Sequence, residues 1–238
     1  MNIEGKNQVV EAIKNDKTIN KLFVDKNFAT RRDDVISLAK QYKLKIEFVP
    51  KKTLDSMSKT SHHQGYIAET IDFVYSSLDD ILNTQSTPFV VLLDGIEDPH
   101  NLGAIIRTCE CAGVDGIIIP KNRACQVNET VVRTSAGAVS NMKIARVTNL
   151  KDAIDYLKEK GLWIYVAETG GEQLYKQNLT GPIGIVVGSE GKGVKQSIRS
   201  YCDGVVTLPL KGSVNSLNAS VATAIVVYEI VRQRDFKN

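Results

Sequence analysis

The chain has 238 residues, a length that suits either one large α/β domain or a small domain joined to a medium one. Its 42% hydrophobic and 24% charged residues are ordinary for a globular protein, which excludes disordered, collagen-like and coiled-coil classes. The net charge of +3 divides unevenly, because residues 1–60 hold 13 Lys and Arg against 8 Asp and Glu, whereas residues 61–238 hold 17 against 19. A basic module followed by a nearly neutral one is therefore expected.

The start of the chain carries charged side chains where a secretory signal needs an apolar run, and no window reaches 18 consecutive apolar residues. These features predict a cytoplasmic protein that does not cross a membrane. The histidines and cysteines show neither HExxH nor CxxC spacing, so no metal site is expected. No GxSxG motif occurs either, which argues against acyl-transfer hydrolysis.

Short alternating elements are predicted in residues 1–71, which we interpret as a compact α/β domain. Residues 72–87 lose the strand pattern and are interpreted as a linker with one short helix, capped by Ser76 or Ser77. In the first domain, the apolar periodicity predicts helices near 8–15 and 31–42, strands at 21–24, 45–49 and 65–69, and a short helix after Pro50.

Residues 88–238 show a more regular and more apolar alternation, which is typical of a parallel sheet covered by helices on both faces. Ligands of such sheets gather at the carboxyl ends of the strands, so a site is expected in the strand-to-helix turns. The predicted strands are 89–94, 116–120, 143–147, 162–168, 183–188 and 205–210. The predicted helices are 101–113, 129–140, 150–161, 193–202 and 216–234.

The first of three notable turns follows strand 89–94 and has the sequence DPHNLGAIIRT at 98–108. Asn101 is predicted to cap the following helix, and Arg107 lies in a helix segment that is otherwise apolar. An arginine there is commonly a solvated surface residue, but a guanidinium is also a good ligand for an RNA phosphate or a carboxylate.

The second turn follows strand 183–188, where the glycines of GSEGKG let the backbone approach a ligand closely. The spacing of Gly188, Gly191 and Gly193 excludes both a Walker phosphate loop and the GxGxxG dinucleotide motif. Glu190 stands in the middle of this loop, where an acid is also an ordinary partner of a helix dipole. The loop alone is therefore weak support for a ligand site.

The third turn, LKGSVNSLNAS at 210–220, leads into the last predicted helix. Asn215 or Ser216 is predicted to be the N-cap of that helix. More small polar side chains gather at this strand end than one cap requires, which favours a binding site.

The segments DPHNLGAIIRT (98–108), IVVGSEGKGV (185–194) and LPLKGSVNSLNASVATAI (208–225) resemble, in this order, the three motifs of SpoU-type RNA ribose 2′-O-methyltransferases, the TrmH family of the SPOUT superfamily. The opening GKNQVVEAI and SHHQGYIA at 61–68 are similar to the substrate-binding module of the branch that methylates a guanosine of 23S rRNA. The resemblance covers essentially the whole chain, and three ordered motifs are together specific.

The resemblance implies a fold and a set of partners. Residues 1–71 are expected to be a ribosomal-protein-like RNA substrate-binding domain, 72–87 a linker, and 88–238 a SPOUT α/β catalytic domain with a parallel sheet and a deep trefoil knot. S-adenosylmethionine is the implied methyl donor, with no metal, and the implied partners are RNA, most directly rRNA, and a second copy of the chain. Nothing in the periodicity itself indicates a knot.

The resemblance also implies roles for individual residues. Asn101 and Arg107 match the catalytic pair of the first motif, Glu190 the acid of the second, and the polar pair of the third motif stands at Ser216 and Asn218. Three further positions match residues that hold the cofactor, largely through backbone groups: Gly188, Leu208 and Leu217.

The basic first module is expected to contact RNA phosphates, so that RNA affinity falls with salt. Two alternatives stay open: a tRNA ribose methyltransferase, and a non-catalytic RNA-binding ribosome-assembly factor with the same fold. The candidate phosphate contacts are Lys6, Lys26, Arg31, Arg32, Lys51, Lys52 and Lys59.

Overall fold

The computed structural model describes residues 2–15, 17–30, 33–71, 73–84 and 86–236. The chain forms two compact units, Met1–Val74 with Gln126–Glu129 and Tyr75–Cys125 with Thr130–Asn238. The domain limits expected at residues 71 and 88 stay predictions. Arg31 and Arg32, two of the candidate RNA contacts, lie outside the described residues.

The first unit is a four-stranded sheet with helices packed against it. Its apolar core is built from fully buried side chains on helices and strands, including Val9, Leu22 and Val35. The strands are β1 (Asn2–Glu4), β2 (Ile19–Asp25), β3 (Ile46–Val49) and β4 (Tyr66–Thr70), in the order β1-β4-β2-β3. Among the strand pairings described in this sheet, β2–β3 is parallel, and β1–β4 and β2–β4 are antiparallel. The helices are α1 (Lys6–Lys14), α2 (Asp34–Gln41) and α3 (Lys51–Met57).

Two elements of this unit differ from the sequence prediction by more than a shift of two residues at either end. Strand β1 was not predicted, because three residues show no alternation and the strand exists through its pairing with β4. Helix α2 begins at Asp34 rather than 31, since the Asp33 carboxylate accepts hydrogen bonds from the Val35 and Ile36 N–H groups and thus caps the helix.

The second unit contains a six-stranded sheet in which each described strand pair is parallel. The predicted α/β class with a parallel sheet is thereby confirmed, whereas the trefoil knot stays a prediction. The strands are β5 (Phe89–Asp94), β6 (Gly116–Pro120), β7 (Ile144–Val147), β8 (Trp163–Gln173), β9 (Ile183–Gly188) and β10 (Gly204–Thr207), in the order β10-β8-β9-β5-β6-β7. The α-helices are α4 (Leu78–Leu82), α5 (Pro99–Cys111), α6 (Glu129–Thr134, whose first residue is assigned to the first unit), α7 (Leu150–Glu159), α8 (Gln196–Arg199) and α9 (Ala219–Asp235).

Helix α4 lies inside the stretch interpreted as a linker. Ser77 caps it through a capping box with Asp80, which decides between the two predicted caps. Ile81 of α4 is fully buried in the core of the second unit. The stretch is therefore partly structural rather than a simple connection.

Two predicted helices of the second unit are too long. Helix 129–140 ends at Thr134, because Ala136 and Gly137 adopt positive φ values of 50° and 88°, which no α-helix accommodates. Helix 193–202 is reduced to α8, since the residues before Gln196 belong to the loop that follows β9. Strand 205–210 ends at Thr207, two residues before Pro209, which has no N–H to donate to a ladder.

Candidate functional site

The carboxyl ends of β9 and β10 and the middle of β8 surround a cavity of about 330 Å³ in the second unit. This volume and its mixture of apolar side chains with polar and backbone groups are typical of a small-molecule site. The wall is formed by Ala167, Glu168, Thr169, Val187, Gly188, Ser189, Glu190, Gly191, Lys192, Gly193, Val206, Leu208, Leu210, Asn215, Ser216, Leu217, Ala219 and Ala222.

All three residues that were expected to hold a cofactor contribute to this wall: Gly188, Leu208 and Leu217. The first of them stands where no side chain fits, because a Cβ at Gly188 would lie 2.1 Å from the Gly193 carbonyl carbon. The glycine loop after β9 therefore folds back against the strand end, where its backbone borders the cavity.

The loop after β9 needs two further glycines for its path. Gly191 and Gly193 have φ values of +78° and +64°, which side chains disfavour. The Gly193 N–H donates to the Ser189 carbonyl at 2.9 Å and closes the turn. This geometry holds Glu190 at the tip of the loop, beside the starts of α5 and α9.

Three of the five predicted catalytic residues, one from each motif, form a hydrogen-bonded cluster. The Asn101 amide donates to Glu190 Oε1 at 3.0 Å, and the Asn218 amide donates to Asn101 Oδ1 at 3.0 Å and also to Glu190 Oε1. A carboxylate that accepts from two amides is fixed in orientation. The cluster thereby joins the loop after β9 to the first turns of α5 and α9.

The structure separates the two other predicted catalytic residues from this cluster. Ser216 is exposed and lies in the cavity wall, whereas Arg107 is exposed on α5, six residues beyond Asn101. Neither side chain hydrogen-bonds to another described residue. Both are accessible to a substrate.

The predicted helix caps at this site are wrong. Asp98, not Asn101, caps α5, since its carboxylate accepts from the His100 N–H. Likewise Asn218, rather than Asn215 or Ser216, caps α9 through its Oδ1, which accepts from the Ser220 and Val221 N–H groups. Asp98 and Asn218 are themselves preferred capping residue types, and Pro99 at the start of α5 is a sequence signal for a cap at Asp98, so the prediction was wrong in position and not in residue type.

Sequence reasoning missed two carboxylates that bind the loop after β9. Asp94 is the last residue of β5 and is buried, and Glu168 lies at the cavity wall in β8. Both hydrogen-bond to the loop that follows β9. An acid near the end of an apolar strand run is the signal that marks such residues, but it does not reveal their partners.

The described residues were also compared with the requirements of a metal site and of a membrane-spanning helix. Within the described part of the chain, no group of three His, Cys, Asp or Glu side chains could hold a metal ion. Among the described helices, none combines the length and the apolar character needed to cross a membrane.

Comparisons with family models and with curated proteins all match RNA methyltransferases of the SpoU or TrmH family. Residues 88–228 match the model of the SpoU rRNA Methylase family, and residues 2–75 match a model described as RNA 2′-O ribose methyltransferase substrate binding. YacO of Bacillus subtilis, named as a TrmH family tRNA/rRNA methyltransferase, is 40% identical over 238 residues, which cover 97% of this chain and 95% of YacO. A TrmH family tRNA/rRNA methyltransferase of Staphylococcus haemolyticus is also 40% identical, over 98% of this chain and 95% of the relative.

Solved structures share the fold. The SpoU methyltransferase AviRb from Streptomyces viridochromogenes, in complex with the cofactor AdoMet, has a TM-score of 0.66 at 22% identity and covers 100% of this chain and 91% of its own. The A. aeolicus TrmH/SpoU tRNA modifying enzyme has a TM-score of 0.59 at 28% identity, over 66% of this chain and 80% of its own.

Proposed function

Because this chain belongs to the SpoU methylase family and is an RNA methyltransferase of the TrmH/SpoU type, we propose that it methylates a ribose 2′-hydroxyl of RNA, with S-adenosylmethionine as donor. The proposed target is a guanosine of 23S rRNA. One observation carries the proposal: the cluster of Asn101, Glu190 and Asn218 lies next to a cavity walled by the expected cofactor residues.

The cavity residues fit S-adenosylmethionine. Leu208, Leu210 and Leu217 supply apolar walls for an aromatic base, while the glycine loop presents backbone groups that can pair with its polar atoms. When bound, this cofactor supplies an electrophilic methyl group on a sulfonium, which leaves as a neutral thioether. We therefore assign Gly188, Leu208 and Leu217 to cofactor binding.

The protein's part in the reaction is to position the hydroxyl and to stabilise the charge that develops on its oxygen. A guanidinium is a poor proton acceptor, so Arg107 acts as a clamp on the neighbouring phosphate and stabilises the developing alkoxide. The proton leaves to phosphate or water. The exposure of Arg107 supports this role, because its five donors are available to RNA.

The other predicted residues orient the reactants. Asn101 and Ser216 position the RNA and Arg107, Glu190 orders the loop, and Asn218 ties the last helix to the cofactor pocket. The hydrogen bonds among Asn101, Glu190 and Asn218 support the last two assignments.

We also propose that the protein acts as a homodimer. Val214, Val221 and Tyr228, on α9 and the turn before it, are large apolar side chains that are exposed in the single chain. Exposed apolar surface of this kind favours self-association. Sedimentation at micromolar concentration should give about twice the 26.2 kDa mass of one chain.

The decisive experiment incubates the protein with methyl-labelled S-adenosylmethionine and separated rRNA and tRNA, and then maps the modified ribose. We expect label at a single guanosine 2′-oxygen of 23S rRNA. Label in tRNA alone would overturn the rRNA assignment. Label in neither RNA, with RNA binding intact, would favour the non-catalytic assembly factor.

A further inference from the structure

The loop between β9 and α8 is held from both sides. In the sheet, β9 lies between β8 and β5, and each of these neighbours contributes one carboxylate to the loop's end. The bonds reach two consecutive backbone N–H groups, those of Val194 and Lys195. These two hydrogen bonds fix the backbone of the loop where it enters α8.

Glu168 forms the β8 side of this arrangement. Its Oε1 accepts a hydrogen bond from the Val194 N–H at 2.7 Å, and its Oε2 accepts from Arg199 Nη1 at 2.8 Å. Its main-chain oxygen accepts from the Thr207 hydroxyl at 2.8 Å. One residue therefore connects the loop after β9 with α8 and with the end of β10.

Asp94 forms the β5 side. Its side chain is only 1% exposed, and it accepts from the Lys195 N–H at 2.9 Å and from the ammonium group of the same lysine. A buried carboxylate requires such partners, because an unpaired one would be strongly destabilising. Loss of the loop's conformation would leave Asp94 unpaired.

The loop itself has little that would hold it in place. Three of the residues at 188–193 are glycines, whose freedom makes an ordered conformation costly in backbone entropy. Within the loop, the described backbone bond is the one from Gly193 to Ser189. Order at Glu190 and Lys192, which line the cavity, therefore depends on groups outside the loop: the Asn101 and Asn218 amides bind the Glu190 side chain, and the carboxylates of Glu168 and Asp94 bind the backbone at the loop's end.

We propose that Glu168 and Asp94 are positioning residues that hold the loop 189–195 in its cofactor-binding conformation. This inference rests on the proposed use of the cavity for S-adenosylmethionine. A loop that is already ordered loses less entropy when a ligand binds, so the two carboxylates raise cofactor affinity without contacting the reacting atoms.

The test compares Glu168→Ala with Glu168→Gln. The alanine variant removes the acceptor of the Val194 N–H, and we expect the Kd for S-adenosylhomocysteine and the KM for S-adenosylmethionine to rise about tenfold. The glutamine variant keeps an acceptor oxygen for the Val194 N–H but puts an NH2 donor where Arg199 Nη1 needs an acceptor, so it should recover part of the affinity. Glu172→Ala, an exposed acid in the same strand, is the matched control and should bind like the wild type.

The kinetic pattern separates positioning from general destabilisation. If Glu168 only orders the loop, Glu168→Ala should raise the KM for the cofactor, while kcat and the KM for RNA stay within about twofold of the wild-type values. A smaller folded fraction would instead lower kcat at an unchanged Kd. That second pattern would overturn the inference.

The wild-type protein offers a test that needs no variant. The amide hydrogens of Val194 and Lys195 should exchange with solvent more slowly than those of Gly191 and Lys192 in the same loop. Equal exchange rates would contradict the two anchors. Failure of the wild type to bind S-adenosylhomocysteine would refute the proposed function, whereas tight binding by both wild type and Glu168→Ala would refute only the positioning role.

Discussion

At the scale of single residues, Asn218 has two tasks that one side chain can perform together. Its oxygen caps α9, and its amide nitrogen donates to Glu190 and Asn101. An amide carries both an acceptor and two donors, which no hydroxyl or carboxylate provides at this position. The residue type thus follows from the site and not from helix capping alone.

The two tasks of Asn218 can be separated by substitution. Asn218→Ala removes the cap, so we expect the free energy of unfolding to fall by about 1 kcal/mol. The same substitution removes the amide donors, so the rate of methyl transfer should fall as well. Asn218→Ser keeps a capping oxygen but loses the amide donors, so we expect near-normal stability with reduced transfer. Urea unfolding and a labelled-methyl assay measure the two quantities, and a serine variant with full activity would refute the cluster's role.

Arg107 is exposed and makes no hydrogen bond to the other described residues, so its role depends on the RNA. If it clamps a phosphate, Arg107→Lys should lower kcat/KM at least about tenfold, because an ammonium cannot reproduce a two-pronged contact. The pH-rate profile of the variant should fall below that of the wild type at every pH. Arg133→Lys, an exposed arginine on α6, is the control. A variant that keeps wild-type activity would exclude the clamp.

At the scale of elements, sequence periodicity located the strands of the second unit well, because buried parallel strands are short apolar runs. Periodicity failed where hydrogen bonds from distant residues override the local tendency to form a helix. Residues 193–195 look helical, but the Val194 and Lys195 N–H groups are bound by carboxylates from other strands. Strand β1 could not be predicted from the sequence, because its three residues show no alternation and the strand forms only through its pairing with β4.

The end of β1 also makes the stability of the first unit sensitive to acid. Glu4 has its pKa lowered from 4.5 to about 2, because the Lys59 N–H and the hydroxyls of Ser58 and Thr60 donate to its carboxylate. A lowered pKa contributes stability that is complete above the unfolded-state pKa and is lost as the pH falls through the folded-state pKa.

We therefore expect the contribution of Glu4 to disappear between about pH 4.5 and pH 2. Glu4→Gln should be less stable than the wild type at pH 6, and the difference should shrink steadily across that window. Urea unfolding at several pH values measures this. Glu11→Gln, which makes the same substitution at an exposed acid on α1, is the matched control. A constant difference between wild type and Glu4→Gln would contradict the assignment.

At the scale of the whole molecule, charge and cavity belong to different units. The excess of positive charge lies in residues 1–60, whereas the cavity and the hydrogen-bonded cluster lie in the second unit. The described candidate contacts Lys6, Lys26, Lys51, Lys52 and Lys59 are all exposed. RNA attraction and cofactor binding should thus respond differently to salt.

RNA affinity should fall steeply between 50 and 200 mM salt, while affinity for S-adenosylhomocysteine changes little, because only RNA binding releases counterions. The double variant Lys51→Gln with Lys52→Gln should lower the slope of log affinity against log salt by about 1.5 if both contact phosphates. Lys160→Gln, an exposed lysine of the second unit, is the control. An unchanged slope in the double variant would remove these two lysines from the RNA surface.

The sequence by itself determined the α/β class, the parallel sheet and the three turns at the strand ends, because burial periodicity and motif order are local properties. The family resemblance predicted catalytic roles for Asn101, Glu190 and Asn218; the structure places the three side chains in one cluster, and the roles stay predictions. Only the tertiary structure decided which residues cap α5 and α9, and that Asp94 and Glu168 anchor the loop after β9. The two anchors depend on hydrogen bonds between residues 26 and 101 positions apart, which no local pattern encodes. The caps are local bonds, but several residues of capping type stand near each helix start and only the backbone geometry selects one of them.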